Sequence, residues 1–129
     1  MKTIKTELEH CLTRIEKVDT GLTSWFRFPP EFVGFEGHFP TKKILPGACQ
    51  IQCIVSTIEK GLAKTVFLKE VILAKYLTPV FPDEEILCTI QGVSNDMSDD
   101  RICKGVITKN SVKVAELKLS ISLKDGKRK

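Results

Sequence analysis

The sequence predicts an α+β domain in which one buried helix is followed by a run of antiparallel strands. Three observations lead there. Only one stretch carries a long helical stripe, with Ala48, Ile51, Val55, Ile58 and Leu62 spaced at three and four residues. Beyond it the apolar period falls from near 3.6 to 2 and stays there to residue 123. The chain has 129 residues, enough for one domain and too few for two. Its 42% hydrophobic and 28% charged residues exclude a disordered chain and a fibrous repeat.

Taken in order, residues 3–15 have apolar side chains at 4, 8, 11, 12 and 15, the spacing of a short helix with Thr3 as its cap. His10 falls on its solvent side. Residues 16–28 read as extended, punctuated by Gly21 and closing on Trp25-Phe26-Arg27-Phe28 before Pro29-Pro30. Residues 31–46 form a long loop rich in Phe, Gly and Pro, a length that is uncommon in a small domain and often functional. Pro46-Gly47 opens the central helix, since proline suits a first turn where its missing N–H has no partner. Gln52 and Glu59 lie along one margin of its stripe, and Gly61 marks its approaching end.

From Val66 to Tyr76 the chain reads as a strand. Its Val71-Ile72-Leu73-Ala74 run is apolar on both faces, as for a strand covered on both sides over part of its length. Residues 78–83 are a turn, Ile86, Cys88 and Ile90 alternate, and residues 95–100 form a polar turn before a strand over 102–108. The last run is apolar at 112 and 114, then at 117, 119, 121 and 123. That change of parity predicts a bulge or bend. With no repeat or linker, residues 1–123 form a single domain and 124–129 a frayed basic tail.

Twenty basic and 16 acidic residues give a net charge of +4, but four bases and one acid lie in the last six residues. The body is therefore nearly neutral, which argues against a nucleic-acid partner. No apolar run approaches the length needed to span a bilayer, and the N-terminus has no signal-peptide pattern, so the expected location is the cytoplasm. Five cysteines, an odd count with no Cys-x-x-Cys pair, read as small buried hydrophobes in a reducing compartment, with no metal site.

His38 is the candidate catalytic group, because an imidazole titrates in the range of acid–base work. Phe32, Val33, Phe35 and Phe39 surround it in sequence, and Pro40 and Pro46 restrict the loop. That loop runs into a helix N-terminus, whose free N–H groups can polarise a carbonyl oxygen, and Gly47 allows a substrate to approach the backbone.

The stretch Gly37-His38-Phe39-Pro40-x-x-x-Ile44-Leu45-Pro46-Gly47 strongly resembles the signature of the β-hydroxyacyl-acyl-carrier-protein dehydratases, which have the hotdog fold. A second stretch, from Ala74-Lys75-Tyr76 to Pro79-Val80-Phe81-Pro82-Asp83, is similar to that family's strand–turn pattern. The resemblance covers roughly residues 22–123 and implies an antiparallel sheet wrapped around one long helix. It also implies a homodimer with an acyl-pantetheine tunnel at the interface, and chemistry that needs no cofactor. By position, His38 would remove a proton from C2 of a 3-hydroxyacyl thioester, and the N–H of Gly47 would hold the thioester carbonyl. Phe35, Phe39, Pro46 and Ala48 would line the substrate. Lys42 and Lys43 either attract an acidic acyl carrier protein or form a solvated loop tip.

The family's third participant is a helix carboxylate fourteen residues after the histidine, supplied by the partner subunit. Here that position is Gln52. An amide can orient a hydroxyl or a water but cannot deliver a proton as a carboxylic acid does. The sequence thus points to a dehydratase-like hydro-lyase acting on acyl-carrier-protein or coenzyme A thioesters, of a fatty-acid or polyketide type and slow or specialised. A non-catalytic acyl-chain binding protein and an acyl thioesterase are the alternatives.

Overall fold

A computed structural model describes residues 3–36, 43–93 and 100–125. Helix α1 (Ile4–His10) is capped by Thr3, whose hydroxyl accepts from the Thr6 N–H at 3.1 Å. It is shorter than its apolar spacing suggests. Cys11, Leu12 and Ile15 follow the helix, and Leu12 and Ile15 belong to strand β1 (Leu12–Val18). That strand pairs antiparallel with β2 (Gly21–Arg27), and the ladder decides a segment whose spacing suits either structure. Leu8, fully buried, pins α1 to the core. His10 is exposed, as expected.

After β2, rings step along the chain: Phe26 stacks on Phe28 at 5.8 Å, Phe28 meets Phe32 at 4.7 Å, and Phe32 meets Phe35 edge-on at 5.7 Å. This row fixes the start of the long loop, including a short 3-10 turn at Val33–Phe35. The central helix α2 (Gly47–Leu62) follows, 16 residues and about 24 Å long. It ends on Ala63, which takes up a left-handed conformation at φ 56°.

Four more strands complete a six-stranded sheet in the order β1-β2-β4-β5-β6-β3, antiparallel throughout. They are β3 (Lys64–Tyr76), β4 (Glu85–Gln91), β5 (Asp100–Lys109) and β6 (Val112–Asp125). The expected turn over 95–100 lies outside the described residues except for Asp100. So does the tail beyond residue 125. The parity change in β6 is a bulge: Thr108 faces Lys113 while Ile107 faces Ala115, so Val114 is the extra residue and both it and Ala115 are buried.

The sheet and α2 enclose one core, built on Phe26, Ile54, Ile58, Ile86, Ile107 and Leu119. Gly105 lets the two layers approach, since a Cβ there would stand 2.8 Å from Ile54 Cδ1. The buried face of α2 differs from the predicted stripe. Cys53, Ile54, Thr57 and Ile58 lie fully buried, while Ala48 is exposed and Ile51 half-buried. A search for apolar spacing overlooks this face because it carries hydroxyls. They are satisfied internally: Thr57 Oγ1 donates to Cys53 O at 2.7 Å and lies 2.7 Å from Ser24 Oγ.

Strand β3 also differs from expectation. Among the described residues it pairs only with β6 and stands at the sheet's edge, so the Val71-Ile72-Leu73-Ala74 run is exposed in the single chain. Two bulges, at Lys69 and Ile72, interrupt its ladder.

Candidate active site

The first turn of α2 is where the informative parts of the sequence meet. Pro46 is the N-cap and offers no side-chain hydrogen bond, and the Cys49 and Gln50 N–H groups turn back to Pro46 O at 3.0 and 3.1 Å. No side chain among the described residues caps the helix start at Gly47. Leu45 N–H donates to Val80 O at 2.9 Å, and Asp83 N–H donates to Phe28 O at 2.7 Å. The first bond lays the stretch ending at Val80 alongside residues 44–47, and the second ties Asp83 to the chain just after β2. Between the two stretches opens a hollow of about 380 Å³, lined by Leu45, Pro46, Gly47, Gln50, Tyr76 and Pro79 among others.

Gly47 is required by the closeness of Tyr76. A Cβ at Gly47 would stand 2.6 Å from Tyr76 Cζ and 2.7 Å from its hydroxyl oxygen. Burial pushes the Tyr76 phenol above its ordinary pKa. Gln50, buried within the helix, reaches Leu45 O with Nε2 at 3.4 Å, and its Oε1 has no hydrogen-bond partner among the described residues. A carbonyl beside Nε2 fixes the amide's orientation, so the orphan is an acceptor. Neither Gln50 nor Tyr76 stood out in the sequence as a site residue. A polar residue three positions after Gly47, on the buried side of the helix, was the available signal for Gln50.

Gln52 lies on the other side of α2. With Ala48 it lines a second hollow of about 330 Å³ between α2 and the start of β3, where Val66 and Leu68 close the far wall. Gln52 Nε2 lies 2.8 Å from Ser56 Oγ, and Ser56 Oγ lies 2.6 Å from Glu9 Oε2 on helix α1. Lys5 Nζ stands 3.0 Å from Glu9 and 3.2 Å from Glu59, and Lys60 Nζ stands 3.6 Å from Glu9. Glu59 also accepts the Val66 N–H at 3.0 Å, joining helix and strand. Burial pushes the Glu9 carboxyl up, but hydrogen bonds from Ser56 and Lys5 and the charges of Lys5 and Lys60 outweigh it and hold the group below the ordinary range. The hydrogen bond to Glu9 raises Lys5 in turn. Ser56 and Glu9 carried no signal in the sequence, because 47 residues separate them.

The chain thus brings Pro46 and Gly47 to one hollow and Ala48 and Gln52 to the other. Phe35 is a core residue, buried against Phe32. Lys43 is exposed and donates from Nζ to Pro30 O at 3.0 Å. His38, Phe39 and Lys42 lie outside the described residues. The Cys49 thiol is pushed up to about 11 by burial, which leaves it unreactive. No cluster of His, Cys, Asp and Glu among the described residues could hold a metal ion. No helix among them is long and apolar enough to cross a membrane.

Residues 14–105 match the ApeI-like family, described as ApeI dehydratase. The chain belongs to the ApeI-like dehydratase family. Over 64 residues it is 33% identical to the 3-hydroxyacyl-[acyl-carrier-protein] dehydratase FabZ of Ehrlichia chaffeensis, a match spanning 46% of this chain and 45% of that relative. The match therefore covers less than half of the curated relative's length. Among solved structures, the dehydratase heterocomplex ApeI:P from Xenorhabdus doucetiae superposes with a TM-score of 0.72 at 18% identity, covering 86% of this chain and 96% of that one. A hypothetical thioesterase from Streptococcus pneumoniae, solved with coenzyme A, gives a TM-score of 0.66 at 9% identity over 97% of both chains. These likenesses establish the hotdog fold. The resemblance to hotdog dehydratases read from the sequence agrees with this family, and position 52 is glutamine.

Proposed function

We propose that this protein is a dehydratase of 3-hydroxyacyl thioesters, carried on acyl carrier protein or coenzyme A, that works as a homodimer. The observation that carries the reading is the convergence of parts of both motif stretches, residues 44–47 and 76–79, on one hollow at an uncapped helix start. Such a start suits a thioester oxygen, whose negative charge grows as C2 loses its proton. His38, nine residues before Gly47, takes that proton. The C2–H bond breaks, the C2–C3 double bond forms, and the C3–O bond breaks. Gln52 of the partner subunit orients the leaving hydroxyl but has no acidic proton to give it. His38 returns the proton taken from C2, and water leaves from a trans-2-enoyl thioester. Pro46, Ala48 and Phe39 shape the acyl path, and the charges of Lys42 and Lys43 attract an acidic carrier.

The dimer is supported by two features. A chain's own Gly47 and Gln52 open on different hollows, so one chain does not hold both sides of the site. The edge strand β3 leaves Phe67, Leu68, Val71, Ile72 and Leu73 exposed beside unpaired backbone, a surface that a second sheet edge would cover. Gln52 favours a second reading, a binding protein that holds acyl thioesters without turning them over. The test is incubation with 3-hydroxyacyl and with trans-2-enoyl thioesters, following interconversion and thiol release separately. Interconversion without thiol release, abolished in His38→Ala, is expected. Thiol release alone would make the protein a thioesterase. No reaction by the wild type or by Gln52→Glu would leave the binding protein.

A further inference from the structure

A glutamine amide has two unlike ends, and at position 52 the structure shows which one is taken. Ser56 is fully buried and has a single proton to give. Its neighbours are Glu9 Oε2 on one side and the Gln52 amide on the other. Glu9 lies between the ammonium groups of Lys5 and Lys60, and an ionised carboxylate only accepts. The Ser56 proton therefore goes to Glu9, which leaves only lone pairs for Gln52. Only Nε2 can use them. Oε1 is consequently the free end of the amide, an acceptor, as a carboxylate oxygen would be at this position.

We propose that Glu9 is a positioning residue for Gln52: acting through Ser56, it fixes the amide so that Oε1 is presented to the hollow between α2 and β3, where it accepts a hydrogen bond from the 3-hydroxyl of the acyl ligand. The order of donors concerns the protein alone, whereas the hydroxyl as its target rests on the dehydratase reading. A carboxylate that the sequence places far from the helix thereby shapes the position where the family pattern has one. It does so from α1, an element outside the matched residues 14–105.

The experiment has two arms, both on the full-length protein. In ¹⁵N-labelled protein the Gln52 side-chain amide, assigned by its loss in Gln52→Ala, is expected to show one proton protected from solvent exchange. In Ser56→Ala and Glu9→Gln that protection falls about tenfold, the scale of one hydrogen bond, while the backbone spectrum keeps its dispersion. In the second arm, calorimetry compares 3-hydroxybutyryl and butyryl pantetheine analogues in which an amide replaces the thioester. The wild type is expected to prefer the hydroxyl compound several-fold, and both variants to lose that preference while keeping their affinity for the butyryl compound. A merely structural role for Glu9 would weaken both compounds together. Equal protection of the Gln52 amide in all three proteins, or an undiminished hydroxyl preference in the variants, overturns the proposal. If neither compound binds the wild type while protection behaves as expected, the dehydratase reading and the ligand half fail, and the positioning of Gln52 by Glu9 is upheld.

Discussion

Single residues decide what this site can do with a proton. Losing general acid assistance costs on the order of 10²–10⁴ in rate, so a dehydratase with Gln52 has to pass its proton through one imidazole. Gln52 and Gly47 were legible from sequence because a motif fixes their spacing. Tyr76 was not, since its place over Gly47 depends on how the strand after α2 returns to the helix start. Tyr76 is the chain's one tyrosine, so it can be followed by absorbance. Burial is expected to place its titration above the ordinary 10.0. Gly47→Ala inserts a methyl group into the ring's position and should expose the phenol, lowering its titration toward 10.0 and weakening acyl-thioester binding. An unchanged Tyr76 titration in Gly47→Ala would show that the ring does not lie on Gly47.

At the scale of elements, the length of α2 and its start at Gly47 followed from the sequence because Pro46-Gly47 is a local signal. Its buried face did not, because Ser56 and Thr57 look solvent-facing until their partners on α1 and β2 are known. The same limit explains α1 and β1. Leu12 and Ile15 fit a helix by spacing, and only pairing with Trp25 and its neighbours makes them a strand. Ala63 ends α2 in the left-handed region, where a Cβ is disfavoured. Ala63→Gly is expected to stabilise the fold by about 1 kcal/mol, read as a raised urea midpoint at constant slope. A lowered midpoint would place Ala63 outside that conformation.

For the whole molecule, the sequence conveyed that β3 is apolar on both faces but not what covers it. Within one chain α2 covers its start at Val66, whereas Val71, Ile72 and Leu73 stay exposed. If a second copy covers this edge, sedimentation will give twice 14.5 kDa, and Val71→Asp with Leu73→Asp will give folded monomers that no longer turn over substrate. A wild-type monomer would instead call for a different chain at that edge. Proton movement at C2 by His38 and the start of α2 is read most directly by hydration of a trans-2-enoyl thioester in D₂O. One deuterium at C2 of the 3-hydroxyacyl product is expected, formed at a rate that collapses in His38→Ala. Hydration that proceeds equally well in His38→Ala, or release of thiol with no deuterium at C2, would contradict proton movement by His38.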